Sequence, residues 1–140
     1  MKKNMLYSLF SIVIVVLVIS IVVLSNPLRK SPKNIKADIL KLTPIGMSME
    51  DAIKVIDSNE KWAIRYISGK YGYSMFGGWP GAPSPNEIAQ NADTIIGEKS
   101  INASIGEYRN IYKIYVDVFW GFDENSKLIS ITVRKDGDVL

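Results

Sequence analysis

Ser58-Asn59-Glu60-Lys61 sets a serine three positions ahead of a lysine, the S-x-x-K spacing of serine acylating enzymes. Those enzymes also carry Ser-Asp-Asn and Lys-Thr-Gly, and neither triplet occurs in this chain. The four residues therefore read as the end of a helix. Glu50 and Asp51 are the next candidates, since glycoside hydrolysis runs on two carboxylates. As neighbours on a helix they point about 100° apart and do not converge on one bond. Asp123-Glu124-Asn125 with Lys127 has the flavour of a calcium loop, but Leu128 stands where an EF-hand needs glycine, and a hairpin turn explains the run. Asp136-Gly137-Asp138 reads as a frayed terminus, and Asn102-Ala103-Ser104 is a glycosylation sequon inside a strand. With no cysteine and no histidine in 140 residues, thiolate chemistry, disulfides, zinc ribbons and the commonest general base are all excluded. The expectation is a protein that is not an enzyme, with no cofactor and no metal centre.

One other feature exceeds what a fold requires. Between Tyr71 and Pro85 the chain is rich in glycine and proline and carries Tyr71, Tyr73, Phe76 and Trp79. A loop of that length is uncommon in a small domain and is often functional. Exposed aromatics among glycines make an amphipathic contact surface for a partner. Tyr115 and Phe119, on the solvent side of an alternating strand, extend that candidate surface. The competing reading is that the loop folds back and buries its aromatics over an open sheet edge.

These residues must be carried by something, and the chain opens with an element of a different kind. Met5 to Leu24 runs for twenty residues without a charge, rich in isoleucine and valine. As a helix rising 1.5 Å per residue it matches a hydrocarbon core about 30 Å thick. The run predicts a single-pass transmembrane anchor over residues 1–25, in contact with lipid through residues 5–24. A cleaved signal peptide is the alternative; its apolar region would be shorter and would end at an Ala-x-Ala-like site. Lysines flank both ends, so charge gives no clean orientation, and the short N-terminal tail favours a cytosolic N-terminus with the remainder extracytoplasmic. From residue 26 to 37 follows a stretch with two prolines, four positive charges and no acid. It predicts a solvated juxtamembrane tether whose Arg29, Lys30, Lys33 and Lys36 meet anionic headgroups, at about 1 kcal/mol per basic residue.

Residues 38–140 carry eleven Lys or Arg against fourteen Asp or Glu, so a basic tether leads into a mildly acidic domain. Positive charge confined to the tether argues against a nucleic-acid partner. Ile35, Ile39 and Leu42 predict a brief amphipathic helix that Pro44 ends. Ser48 with Asp51 forms a capping box for a second helix whose buried face is Met49, Ala52, Ile53 and Ile56, and which stops near Ser58-Asn59. A strand follows over 62–68, then the aromatic loop with a short helix from Pro85 to about Ala92. Three strands close the chain. Ile101, Ala103 and Ile105 point inward on the first. The second sets Tyr112, Ile114, Val116, Val118, Trp120 and Phe122 inward, against a mixed solvent face of Lys113, Tyr115, Asp117 and Phe119. On the third, Ile129, Ile131 and Val133 point inward, after a hairpin at residues 123–126. The fold class is α+β: a helix packed on a roughly four-stranded antiparallel meander, following the transmembrane helix.

Two blocks, Thr43-Pro44-Ile45-Gly46-Met47-Ser48-Met49-Glu50-Asp51 and Phe119-Trp120-Gly121-Phe122-Asp123-Glu124-Asn125-Ser126-Lys127-Leu128, resemble a family of short, uncharacterised membrane-anchored proteins of Gram-positive bacteria. The resemblance implies a source and an anchored topology but no activity and no functional residues. At the level of fold, the Gly-Met-Ser turn into a helix followed by a meander is similar to the small α+β domains of outer-membrane-assembly lipoproteins and of beta-lactamase-inhibitory proteins. Taken together, these readings predict a membrane-tethered, non-catalytic domain at the cell membrane that contacts an envelope protein. The alternatives are an immunity-type inhibitor of a toxin at the membrane and a small hydrolase with an unrecognised site.

Overall fold

The computed structural model describes residues 2–24, 26–74 and 95–137. It is α+β, with three α-helices and a four-stranded antiparallel sheet. Helix α1 spans Lys2–Leu24, α2 Pro32–Leu42 and α3 Met49–Asp57, with a short 3-10 turn at Pro27–Arg29. The strands are β1 Ala63–Ser68, β2 Tyr73–Ser74, β3 Ile95–Ile96, β4 Lys99–Arg109, β5 Lys113–Phe122 and β6 Leu128–Gly137. The sheet order is β1-β4-β5-β6, and β2 pairs with β3 as a separate two-stranded ribbon. The short helix expected from Pro85 to Ala92 lies outside the described residues.

Within α1, side chains are described at residues 7–8 and 10–21, and all are exposed. Among the described residues, no helix is long and apolar enough to cross a membrane. The spanning role expected of residues 5–24 thus rests on the charge-free sequence and on a helical backbone of 23 residues.

Both remaining helices form because a cap and a face coincide. Ser31 caps α2, accepting from the Asn34 N–H, and Pro32 occupies the first turn, where its missing N–H is harmless. Ile35 and Ile39, one turn apart, are the buried residues of this helix. The Ser48 hydroxyl accepts from the Asp51 N–H at 3.1 Å and donates to the Asp51 carboxylate at 2.7 Å, and Ala52 and Ile56 are fully buried beneath α3. That side-chain contact and the Lys54 ammonium hold the Asp51 carboxyl below its ordinary pKa.

The expected tether over 26–37 is folded instead. Asn26 caps the 3-10 turn, Leu28 packs against the core, and α2 begins at Pro32, three residues before the Ile35 from which its apolar spacing starts. The Lys135 ammonium donates to the Leu28 and Lys30 carbonyls at 2.6 and 2.7 Å, and Arg29 donates to the Arg109 carbonyl at 2.7 Å. The physical reason lies in Ser31-Pro32: a capping serine followed by proline starts a helix rather than prolonging a linker.

The helices cover one face of the sheet. Ile101, Ala103, Val116, Val118, Trp120, Phe122, Leu128 and Ile131 are fully buried there. Trp120 donates to the Thr43 hydroxyl at 3.0 Å, which itself donates to the Ile39 carbonyl, closing α2 over the core. The loop after α2 is pinned to the β5–β6 turn. Gly46, at φ +86° where glycine is favoured, donates to the Leu128 carbonyl, Leu128 donates back to Met47, and Met49 donates to Ser126. The two sequence blocks at 43–51 and 119–128 therefore meet in space. Asp123 closes the hairpin by accepting the Lys127 N–H at 2.8 Å, as its turn composition predicts.

Two positions expected inward and one expected outward differ from expectation. Ile129 is 47% exposed, because a bulge in β6 pairs Phe122 with Leu128 and Gly121 with Ser130, turning Ile129 outward. Tyr112 lies in the β4–β5 turn rather than in β5 and is 52% exposed. Asp117, expected on a solvent face, is only 5% exposed.

Candidate interaction face

Alternation along β5 sends Tyr115, Asp117 and Phe119 to the side away from the helices. Register places Asp117 between Ser104 on β4 and Arg134 on β6, and Phe119 between Asn102 and Thr132. Arg65 reaches the same place from the edge strand. A bulge between Ile64 and Tyr66 adds a residue to β1, and the Arg65 Nε stands 3.5 Å from Asp117 Oδ1. Arg134 pairs with Asp136 at 2.9 Å and lies over the Phe119 ring, its guanidinium carbon 5.1 Å from the centroid.

Tyr73 crosses this face from β2. Its ring lies 5.5 Å from that of Phe119, tilted by 34°. Its hydroxyl donates to Ser130 at 3.3 Å and shares a 2.8 Å hydrogen bond with the Thr132 hydroxyl. Gly121 makes the crossing possible, since a side chain there would begin 3.0 Å from the Tyr73 ring. Tyr73 is thus buried, where an exposed contact was the expectation.

Asp117 and Asn102 sit at the centre of the face. Burial pushes the Asp117 carboxyl above its ordinary pKa, against the pull of the Arg65 guanidinium and the Ser104 hydroxyl. Asn102 donates to the Val118 carbonyl at 3.2 Å. Among the described residues neither Asn102 Oδ1 nor Asp117 Oδ1 accepts a hydrogen bond, but Asp117 Oδ1 is the oxygen that faces the Arg65 guanidinium as an ion pair. Chemically the face offers hydrogen-bond acceptors beside aromatic rings, a composition for holding a partner that brings donors.

Of the six aromatics expected to make contact, Tyr73 and Phe119 touch, and Tyr115 lies on the same face with the Lys113 ammonium 5.2 Å above its ring. Tyr71 is exposed, and its carbonyl accepts from Ser100. Phe76 and Trp79 lie outside the described residues. Arg65, Asn102 and Arg134 were not among the expected site residues. An arginine inside a strand of otherwise apolar and aromatic residues was the available signal, but its partner on a non-adjacent strand is invisible without the register.

Of the basic residues expected at a membrane surface, Arg29 lies at the β4–β5 turn end of the sheet. Arg29 stacks on the Tyr108 ring at 5.3 Å, and Lys135 lies over the same ring at 5.0 Å. Lys30 pairs with Asp38 at 2.6 Å, and together with Lys41 it holds the Asp38 carboxyl down to about 2. Lys33 is exposed and Lys36 half-buried on α2. The Ser58 and Lys61 of the S-x-x-K run line an open groove of 520 Å³ with Leu42 and Val55, where the Ser58 hydroxyl is committed to the Val55 carbonyl at 2.8 Å. Among the described residues, no cluster of three or more acidic, histidine or cysteine side chains could hold a metal ion.

No protein-family model, no curated protein and no solved structure matches this chain.

Proposed function

We propose that this chain is a single-pass membrane protein whose globular part works by binding another envelope protein, on the extracytoplasmic side, rather than by catalysis. The observation that carries the reading is the uncovered apolar circumference of α1. Ile12 to Ile19 are eight consecutive apolar residues, all exposed. At about 100° per residue they pass nearly twice round the helix and so point to every side of it, which no single packing partner within the chain could cover. Each such side chain gains about 1.5–3 kcal/mol on leaving water, a sum that favours lipid over solvent by a wide margin. The twenty uncharged residues from Met5 to Leu24 have the length for that role.

Binding is favoured over catalysis because the sheet's second face sets the Tyr115 and Phe119 rings beside polar Asn102 and Asp117, and the chain has no histidine or cysteine to do chemistry. Tyr115 and Phe119 are the residues through which the partner is met. The experiment is a photo-reactive amino acid placed at Tyr115 or Phe119, with membranes isolated from intact cells after illumination. A discrete protein adduct from these positions, absent when the same group replaces Glu50 on α3, is the expected result. Absence of any adduct at Tyr115 and Phe119 in membrane-bound protein would contradict the binding assignment.

A further inference from the structure

The end of the domain nearest α1 is fixed by the fold. Two residues separate Leu24 from Pro27, and the 3-10 turn at Pro27–Arg29 is clamped to the sheet by Lys135 and by Arg29. At full extension two residues reach about 7 Å, so the domain cannot swing far from the end of α1. The Arg29 guanidinium holds the Arg109 carbonyl, the last residue of β4, and Arg109 pairs with Lys113 across the β4–β5 turn. That turn, Asn110-Ile111-Tyr112, therefore lies at the α1-proximal end. The other end of the sheet is the β5–β6 turn, which the distal residue Lys99 of β4 reaches through Glu124 and Ser126.

The proximal turn has a composition that water does not explain. Ile111 is 81% exposed, and Tyr112 beside it is 52% exposed. The turn is held in shape by its own backbone, Asn110 donating to the Tyr112 carbonyl at 2.9 Å, so the two side chains are presented rather than left loose. Beside them stand Arg29, Arg109 and Lys113, against Glu107, which pairs with Lys113 at 2.9 Å and raises the ammonium's pKa, and Asp136, which pairs with Arg134. An isoleucine and a tyrosine at the tip of a basic rim form a surface complementary to a bilayer interface, where tyrosine is enriched and anionic headgroups attract lysine and arginine.

We propose that the β4–β5 turn, Ile111 and Tyr112 beside Arg29, Arg109 and Lys113, seats in the headgroup layer of the same bilayer that holds α1. The inference rests on the reading of α1 as a membrane anchor and adds a second contact to it. Two contacts fix an orientation where one anchor leaves rotation free. With the turn on the bilayer, β4 and β5 stand up from it, and the Tyr115–Phe119 face looks along the membrane plane. The partner suited to that face is then another protein anchored in the same membrane.

The chain has no native cysteine, so Ile111→Cys and Glu124→Cys each give one labelling site in the full-length protein. Each variant is labelled with an environment-sensitive nitrobenzoxadiazole dye and reconstituted into vesicles of equal parts phosphatidylcholine and phosphatidylglycerol. A nitroxide-bearing phosphatidylcholine then serves as quencher, and alkaline carbonate washing reports independently whether α1 is integrated. The expected result is integrated protein with blue-shifted, lipid-quenched emission at position 111 and water-like, unquenched emission at 124, some 33 Å away along the sheet. Integrated protein with equally water-like emission at both positions overturns the seated turn and leaves the anchor standing. Lipid quenching at both positions also overturns it, since the contact would not belong to this end. Protein that washes off overturns the anchor and the seated turn together.

Discussion

The two faces of the β1-β4-β5-β6 sheet are built from the same strands and have opposite characters. On the helix side every central position of β4 and β5 is apolar and fully buried, and the polar pair of Trp120 and Thr43 is mutually satisfied. On the other side the same strands bury Asn102, whose Oδ1 accepts no hydrogen bond among the described residues, and Asp117, whose Oδ1 faces the Arg65 guanidinium at 3.5 Å, beside the Tyr73 and Phe119 rings. Burial without full pairing is expensive, on the order of 1–3 kcal/mol per unmet group. The helix face holds the apolar core, and the second, more polar face is the one proposed to meet a partner.

That contrast can be broken most severely from the helix side. Trp120→Ala removes a fully buried indole that packs on Trp62 at 6.2 Å and ties down Thr43, and is expected to lose about 3–5 kcal/mol. The readout is the urea midpoint of the full chain in detergent micelles, followed by far-ultraviolet circular dichroism. Tyr73→Phe keeps the ring and removes the hydroxyl from Ser130 and Thr132, with a smaller expected loss of about 1 kcal/mol in the same assay.

Asp117→Asn should act in the opposite direction. Because burial raises the carboxyl's pKa in the fold, the ionised group weakens the native state, fully so once the pH exceeds the raised folded value. The penalty fades as pH falls through that value toward the ordinary carboxylate pKa. The variant is therefore expected to be more stable than the parent at neutral pH, with the gain disappearing in acid. Asp38 provides the reverse sign. Held down to about 2 by Lys30 and Lys41, it contributes stability above the ordinary carboxylate value that is lost as pH falls through about 2, so Asp38→Asn should flatten the acid limb of the profile. The smallest effect belongs to the exposed Lys54 with Glu50 and Asp51 on α3, where Lys54→Ala should leave the urea midpoint unmoved.

How legible these faces are in the sequence differs for the same reasons. The α3 cap at Ser48, its buried Ala52 and Ile56, and the inward Val116, Val118, Trp120 and Phe122 follow from local spacing, since a period of 3.6 or 2 is written in consecutive residues. The second face depends on what lies across it. Arg65 meets Asp117 only because β1 pairs with β4 through a bulge, and neither the strand order nor the extra residue is encoded locally. Ile129 shows the same limit, its alternation shifted by one where β6 bulges. The folded segment at 27–37 was readable from Ser31-Pro32, but its charge and prolines give a linker-like composition that hides the helix start.

The most direct test of the account is protease accessibility of the full chain on intact cells, with a tag after Leu140 read for size and exposure. The account requires a full-length protein that sediments with membranes and loses its tag to external protease while residues 5–24 stay protected. A full-length chain that remains in the soluble fraction would contradict the membrane anchor itself. A tag protected until the cells are opened would instead place the sheet's aromatic face on the cytosolic side.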